Sequence, residues 1–182
     1  SNEAIQSTPI IDLSKFSSPN EMGNITLVIG DKTLKVSKEF LAVLSPVFAA
    51  MFFSNLAENG KEEIEIKDVI YEEFVDLLQL IFSIGTVEIT DRTVLHILKL
   101  ADQLQMERVM ELSKKHLIQF CRFDAAKKLL IADQYRLVDL MDHCLNSFAT
   151  HSDLMKKLKL TPECANISVE TKVAIYDRFA PF

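Results

Sequence analysis

The chain has no tryptophan, four glycines, five prolines and three cysteines among its 182 residues. The glycines, Gly23, Gly30, Gly60 and Gly85, stand too far apart to form a phosphate-cradling GxGxxG or P-loop, so nucleotide binding has no motif to rest on. The cysteines, Cys121, Cys144 and Cys164, are odd in number and irregular in spacing. That argues against the disulfide framework of a small secreted domain and for a reducing compartment, cytoplasmic and/or nuclear. Positive charge is also short: 20 Lys and Arg stand against 26 Asp and Glu, a formal charge of -6. Proteins that hold nucleic acid concentrate basic residues to neutralise phosphates, so no nucleic-acid partner is expected. No apolar run reaches the roughly 18 residues of a membrane-crossing helix, and the opening SNEAIQSTP lacks the basic-then-apolar order of a signal peptide. No membrane partner is expected, and the chain reads as soluble. Ser1 and Asn2, with no initiator Met, read as a cloning remnant.

What is present is the composition of an ordinary globular protein: 48% hydrophobic residues, 25% charged and 12 Phe. The length suits one compact unit with a small addition. Residues 1–23 form a polar tail with an apolar cluster at Ile10, Ile11, Leu13 and Phe16. ITLVIG and TLKV, joined across Gly-Asp-Lys, predict a β-hairpin, and EEIEI at 62–66 predicts a third strand in which Ile64 and Ile66 alternate with glutamates. Between them, KEFLAVLSPVFAAMFF is too long for a hairpin loop. Pro46 marks the start of a new helix, which gives helices over 38–44 and 46–53. Over 71–82, Tyr71, Phe74, Val75, Leu78, Ile81 and Phe82 share one helical face. TVEIT then reads as a short strand before a helix at about 91–103.

An internal repeat comes next, at an offset of 31 residues: LKLADQLQM aligns with LLIADQYRL, so that Ala101, Asp102 and Gln103 match Ala132, Asp133 and Gln134. Each copy predicts a helix ending near Ala-Asp-Gln, a tight turn and a second helix; in the second copy the apolar face is Leu137, Leu140, Met141, Cys144, Leu145 and Phe148. Near the end, Ser168 is placed to cap a last helix carrying Val169, Val173, Ile175, Tyr176 and Phe179.

Reacting groups do not converge in the sequence. His143 and Cys144 are adjacent, but neighbouring helical side chains diverge by about 100° and cannot share a proton as a thiolate–imidazole couple must. Cys144 also lies on the apolar stripe and reads as a small buried hydrophobe. CxxC and HExxH spacings are missing, and His96, His116, His143 and His151 are scattered. No catalytic residue, metal site or cofactor is expected. Glu62, Glu63 and Glu65 read as the solvent side of a strand, and Lys156, Lys157 and Lys159 as an exposed helix face. MFFSNL, by contrast, places Met51, Phe52, Phe53 and Leu56 before a polar stretch, and not all four turn inward easily; a binding surface there competes with the reading that Met51 and Phe52 are core and Leu56 covers them.

The ordered segments NITLVIGDKTLKVSKEFLAVLSPVFAAMF, EIEIKDV, FVDLLQLIFSIGTVEI and LKLADQLQM, covering about residues 24–120, resemble the BTB/POZ family. The resemblance implies an α+β fold, a small three-stranded sheet flanked by helices with a C-terminal helical-hairpin extension, and a non-enzymatic role in protein interaction. Residues 1–23 would be a tail with a dimerisation segment, 24–120 the BTB/POZ domain, 121–160 a 3-box or BACK-like extension and 161–182 a helical tail. SPVFAAMF and the segment after it are most similar to nematode MATH–BTB adaptors that bring substrates to cullin-3 ubiquitin ligases. That similarity implies a homodimer that binds the amino-terminal region of cullin-3 through Phe52, Phe53, Leu56 and Glu58. Leu56 would fill a groove while Glu58 pairs with a polar or basic group. It implies dimer contacts at Leu13, Phe16 and Phe40. Ubiquitination substrates would bind through a MATH domain that would precede residue 10 and is missing, so either the chain is truncated or substrates bind elsewhere. The competing reading is a structural BTB oligomeriser that ignores the cullin. Asn24 and Ser37 depart from the family's usual Asp and His while Lys38 is kept, so a charged pocket on residues 24 and 38 is expected to be degenerate.

Overall fold

A computed structural model describes residues 24–53, 63–82, 87–161 and 166–180. Three strands, β1 (Ile25–Ile29), β2 (Lys32–Val36) and β3 (Glu63–Glu65), form one sheet in the order β2-β1-β3. The first two make the expected antiparallel hairpin, with Leu27 opposite Leu34. Gly30 opens its two-residue turn at φ +61°, a backbone conformation open to glycine because it has no Cβ. The third strand lies parallel to β1, with Ile64 beside Leu27. Strand alternation sends Ile64 and Ile66 into the core and leaves Glu63 and Glu65 exposed.

The helices are α1 (Lys38–Leu44), α2 (Pro46–Phe53), α3 (Tyr71–Phe82), α4 (Val94–Gln103), α5 (Glu107–Gln119), α6 (Ala125–Tyr135), α7 (Val138–Asn146), α8 (His151–Lys159) and α9 (Val169–Phe179). Among the described residues no helix is long and apolar enough to cross a membrane. Two compact units result. One comprises the described residues up to Glu88 with Lys99–Arg108; the other comprises Ile89–Leu98 and those from Val109 onward.

In the first unit the sheet buries Ile25, Leu27, Leu34 and Val36, and the helices contribute Leu41, Phe48, Phe74 and Leu77. Ser45, fully buried between α1 and α2, accepts the Phe48 N–H at 3.1 Å and donates to the Leu104 carbonyl at 2.5 Å. One hydroxyl thus caps α2 and fixes a residue 59 positions away, satisfying groups that burial would otherwise penalise.

The second unit is helical, with Leu117, Leu129, Leu140, Cys144, Leu154 and Leu158 buried. The starts of α6, α8 and α9 carry side-chain caps of the favoured types, while α7 starts after Leu137 without one. Asp124 Oδ1 accepts from Lys127 N at 2.8 Å, Thr150 Oγ1 from Asp153 N at 3.1 Å, and Ser168 Oγ from Thr171 N at 3.1 Å, as expected for Ser168. Lys114 donates to Asp139 at 2.7 Å and to Glu111 at 2.8 Å, joining α5 to α7.

The sequence repeat is a backbone repeat. Gln105 and Arg136 both sit in the left-handed region, at φ 52° and 54°. Behind them, Met106 N–H reaches the Ala101 carbonyl at 2.8 Å and Leu137 N–H the Ala132 carbonyl at 2.9 Å. This is a Schellman closure of a helix end, made twice at the same offset.

The strand expected from TVEIT does not form over its described residues: among the described residues Val87–Thr90 pairs with no strand, and α4 starts at Val94 after a turn at 91–93 rather than at about 91. The β-branched threonines act instead as a helix start: Thr93 Oγ1 accepts the Thr90 N–H at 3.0 Å, and the Thr90 carbonyl accepts the Val94 N–H at 2.9 Å.

Candidate functional site: an aromatic face on the first two helices

Ser37 starts α1 by accepting the Phe40 N–H at 3.2 Å. Asn24, just ahead of β1, completes that helix end with both halves of its amide: Oδ1 accepts the Lys38 N–H at 3.0 Å and Nδ2 donates to both Glu39 carboxylate oxygens, at 2.8 and 2.6 Å. The amide bonds, followed by the residue's own N–H and the Ser37 hydroxyl, hold the Glu39 carboxyl below its usual pKa. An aspartate at 24 would present a second carboxylate to Glu39 where the amide presents a donor. The Lys38 ammonium lies 5.6 Å from the centre of the Phe53 ring. Asn24 and Lys38 are therefore each engaged elsewhere: the amide at the helix start, the ammonium over an aromatic ring.

With α1 set this way, Phe40 and Val43 fall on one face, 37% and 85% exposed. The Phe40 ring stacks on Phe82 of α3, with centroids 4.6 Å apart. On α2, Phe48 and Phe52 are one turn apart and stack inward at 5.3 Å, and Phe48 meets Phe74 edge-on at 6.4 Å. Phe53, one position on, is rotated away and stands 49% exposed.

These placements sort the expected contact residues. Phe53 and Phe40 are on the surface. Phe52 is a correction: only 4% exposed, it packs the core, where one turn from Phe48 it stacks on that ring, and it has little surface to offer a partner. Leu56, Glu58, Leu13 and Phe16 lie outside the described residues.

In the second unit a different group comes together, one that sequence spacing did not reveal. Asp91 Oδ1 lies 2.8 Å from His116 Nε2, and Asp91 Oδ2 accepts the Arg122 N–H at 3.1 Å. Cys121 Sγ joins them, so that one donor atom from each of Asp91, His116 and Cys121 lies within 4.8 Å of the others. The Arg122 amide and the imidazole hold the Asp91 carboxyl below its usual pKa. Burial pushes the Cys121 thiol up, the Phe123 backbone N–H works the other way, and the Asp91 carboxylate adds to the rise. Cys144, on the apolar face of α7, is pushed up to about 12 by burial, which makes it an inert thiol.

A small sheet closed by helices, with aromatic side chains turned outward from a packed core, is the build of a protein-interaction module. The chain belongs to the BTB/POZ family: the BTB/POZ domain model matches residues 13–121, more than half of it. Domains of this family are non-enzymatic protein-interaction modules. The chain is 40% identical over 155 residues to BTB and MATH domain-containing protein 38 of Caenorhabditis elegans, covering 85% of this chain and 40% of the relative. To BTB and MATH domain-containing protein 36 of the same organism it is 36% identical over 143 residues, covering 78% and 44%. The chain thus spans less than half the length of these curated relatives. Among solved structures, the BTB domain of zebrafish PATZ1 matches with a TM-score of 0.47 and 18% identity, over 58% of this chain and 84% of that one.

Proposed function

We propose that the chain is the homodimeric adaptor part of a MATH–BTB protein that brings ubiquitination substrates to a cullin-3 ligase, working in the cytoplasm or nucleus. The observation that carries this is the exposure of two aromatic side chains, Phe40 on α1 and Phe53 on α2, in a chain 40% identical to a BTB and MATH domain-containing protein. Aromatic side chains in such positions supply most of the binding energy of an interface, because they bury large area at little entropic cost. Phe53, with Leu56 and Glu58 after it, would meet the amino-terminal region of the cullin; Phe40, with Leu13 and Phe16, would meet the second copy. Residues 121–160 would enlarge the cullin contact, and a MATH domain outside this chain would take the substrate.

Calorimetric titration of the chain with the amino-terminal region of cullin-3 tests the reading. Binding should be abolished or weakened about 100-fold by Leu56→Asp and by Phe53→Asp, in keeping with loss of a central anchor. Light scattering should report a dimer, and Phe40→Asp should shift it toward monomer. A dimer with no affinity for the cullin would leave a structural oligomeriser as the function.

A further inference from the structure

We infer that Asp91, His116 and Cys121 form a binding site for one divalent transition metal of borderline softness, zinc above all. Three different donor types converge here, an oxygen, an imidazole nitrogen and a sulfur, all within 4.8 Å of one another. Around a tetrahedral zinc ion, sulfur and nitrogen donors lie about 3.6 Å apart, given metal distances of about 2.3 and 2.0 Å. Closing the set onto an ion therefore takes side-chain shifts of about 1 Å.

The backbone already aims the donors. His116 is in the last turn of α5, and its carbonyl accepts both the Phe120 and the Cys121 N–H at 2.9 Å, which folds the chain end back beside the imidazole. Arg122 N–H pins one oxygen of Asp91 and leaves the other facing the ring. Cys121 is buried and the His116 side chain is 12% exposed, whereas that of Asp91 is 32% exposed. The open, fourth position is therefore on the Asp91 side, where water can complete the coordination.

Sulfur and imidazole favour zinc, cobalt or copper over magnesium or calcium, which take oxygen ligands. On binding, the thiol proton of Cys121 leaves to solvent and the sulfur lone pair goes to the metal. The imidazole gives its Nε2 lone pair, with its proton carried on Nδ1, and the carboxylate gives an oxygen lone pair. Thiolate and carboxylate then neutralise the two positive charges of the ion. The bound ion would join the segment before α4 to the end of α5.

The test uses the full chain, treated with a chelator and then freed of it, titrated with cobalt(II) under reducing conditions. One equivalent should bind with thiolate-to-cobalt charge-transfer absorption and intense tetrahedral d–d bands, and zinc should displace it. Zinc should also raise the melting temperature by several degrees. Cys121→Ser should remove the charge-transfer band, while Cys164→Ser should keep it. Asp91→Asn, whose amide oxygen can still accept the Arg122 N–H, should preserve the fold by circular dichroism yet weaken cobalt at least about 10-fold. Absence of the band at millimolar cobalt, its survival in Cys121→Ser, or unchanged affinity in a folded Asp91→Asn would overturn the assignment.

Discussion

Replacing Asp133 with alanine removes the acceptor on which the start of α9 is built. Its carboxylate accepts the Ser168 N–H at 3.1 Å, the Ser168 hydroxyl through a short bond, and the Thr171 hydroxyl at 2.6 Å. Thr171 is fully buried, so losing Asp133 leaves its hydroxyl with only the Met141 sulfur at 3.6 Å, a weak acceptor. Hydrogen bonds to a charged group contribute about 1.5–3 kcal/mol, and an orphaned buried donor costs about 1–3 kcal/mol. The expected loss for Asp133→Ala is about 3 kcal/mol, or roughly 6–12 °C in melting temperature at this chain length. Asp133→Asn keeps one acceptor oxygen and should lose about 1 kcal/mol. The pH dependence has a definite sign. Burial pushes the Asp133 carboxyl up, but the hydroxyls of Ser168 and Thr171 outweigh it, and its pKa in the folded chain falls below 3.8. Its stabilisation is therefore fully present above that value and is lost as pH falls through the depressed pKa. The advantage of the wild-type chain over Asp133→Asn should hold from neutral pH down to about 5 and shrink below 3.8. Urea unfolding together with hydrogen exchange at the α9 amides measures both. A loss in Asp133→Ala under about 0.5 kcal/mol, or unchanged protection in α9, would refute the reasoning.

Gln105→Gly should stabilise by roughly 1 kcal/mol, because Gln105 carries a Cβ in the left-handed region, at φ 52°; thermal unfolding of the variant checks this. Phe48→Ala should cost about 3–5 kcal/mol in denaturant titrations, since its ring is fully buried between Phe52 and Phe74. Asn24→Asp should destabilise at neutral pH by placing a carboxylate against Glu39, and the loss should fade as the pH is taken below about 4, where the pair takes up a proton. Equal loss at both pH values would remove the amide–carboxylate contact as the cause.

The parts of the fold visible in the sequence were those written in local periodicity. The hairpin, α1, α2 and α3 follow from alternation, from Pro46 and from one apolar face on 71–82. The 31-residue repeat was legible as two helix ends near Ala-Asp-Gln, each followed by a tight turn; the shared left-handed residue and hydrogen bonds that close both ends came from the structure. Residues 87–90 misled because β-branched residues serve two purposes, alternation in a strand and hydroxyl bonds before a helix, and sequence alternation does not separate them. Phe52 misled because MFF gives three apolar side chains in a row, and which of them faces inward depends on the helical phase set by Phe48. Asp91 and His116 are 25 positions apart on different elements, so their meeting is a tertiary event with no spacing signature.

The outward aromatic side chains and the core of the first unit are two outcomes of one packing choice. Phe48 and Phe52, one turn apart, commit that side of α2 to Phe74, and a helix that commits positions 48 and 52 must turn position 53 outward. Phe40 is tied in the same way: Leu41 beside it is fully buried, so Phe40 is left at the rim, where Phe82 supports its ring. The outward aromatics are thus oriented by buried neighbours on their own helices, with Phe82 under Phe40 and the Lys38 ammonium over Phe53 as further contacts. A substitution at Phe53 should remove surface without loosening α2, whereas one at Phe52 should loosen α2 and displace Phe53 with it. Loss of partner binding at unchanged stability in Phe53→Ala, beside loss of both in Phe52→Ala, is the pattern this packing requires. Equal destabilisation by the two would mean that Phe53 belongs to the core and that the face has no independent existence.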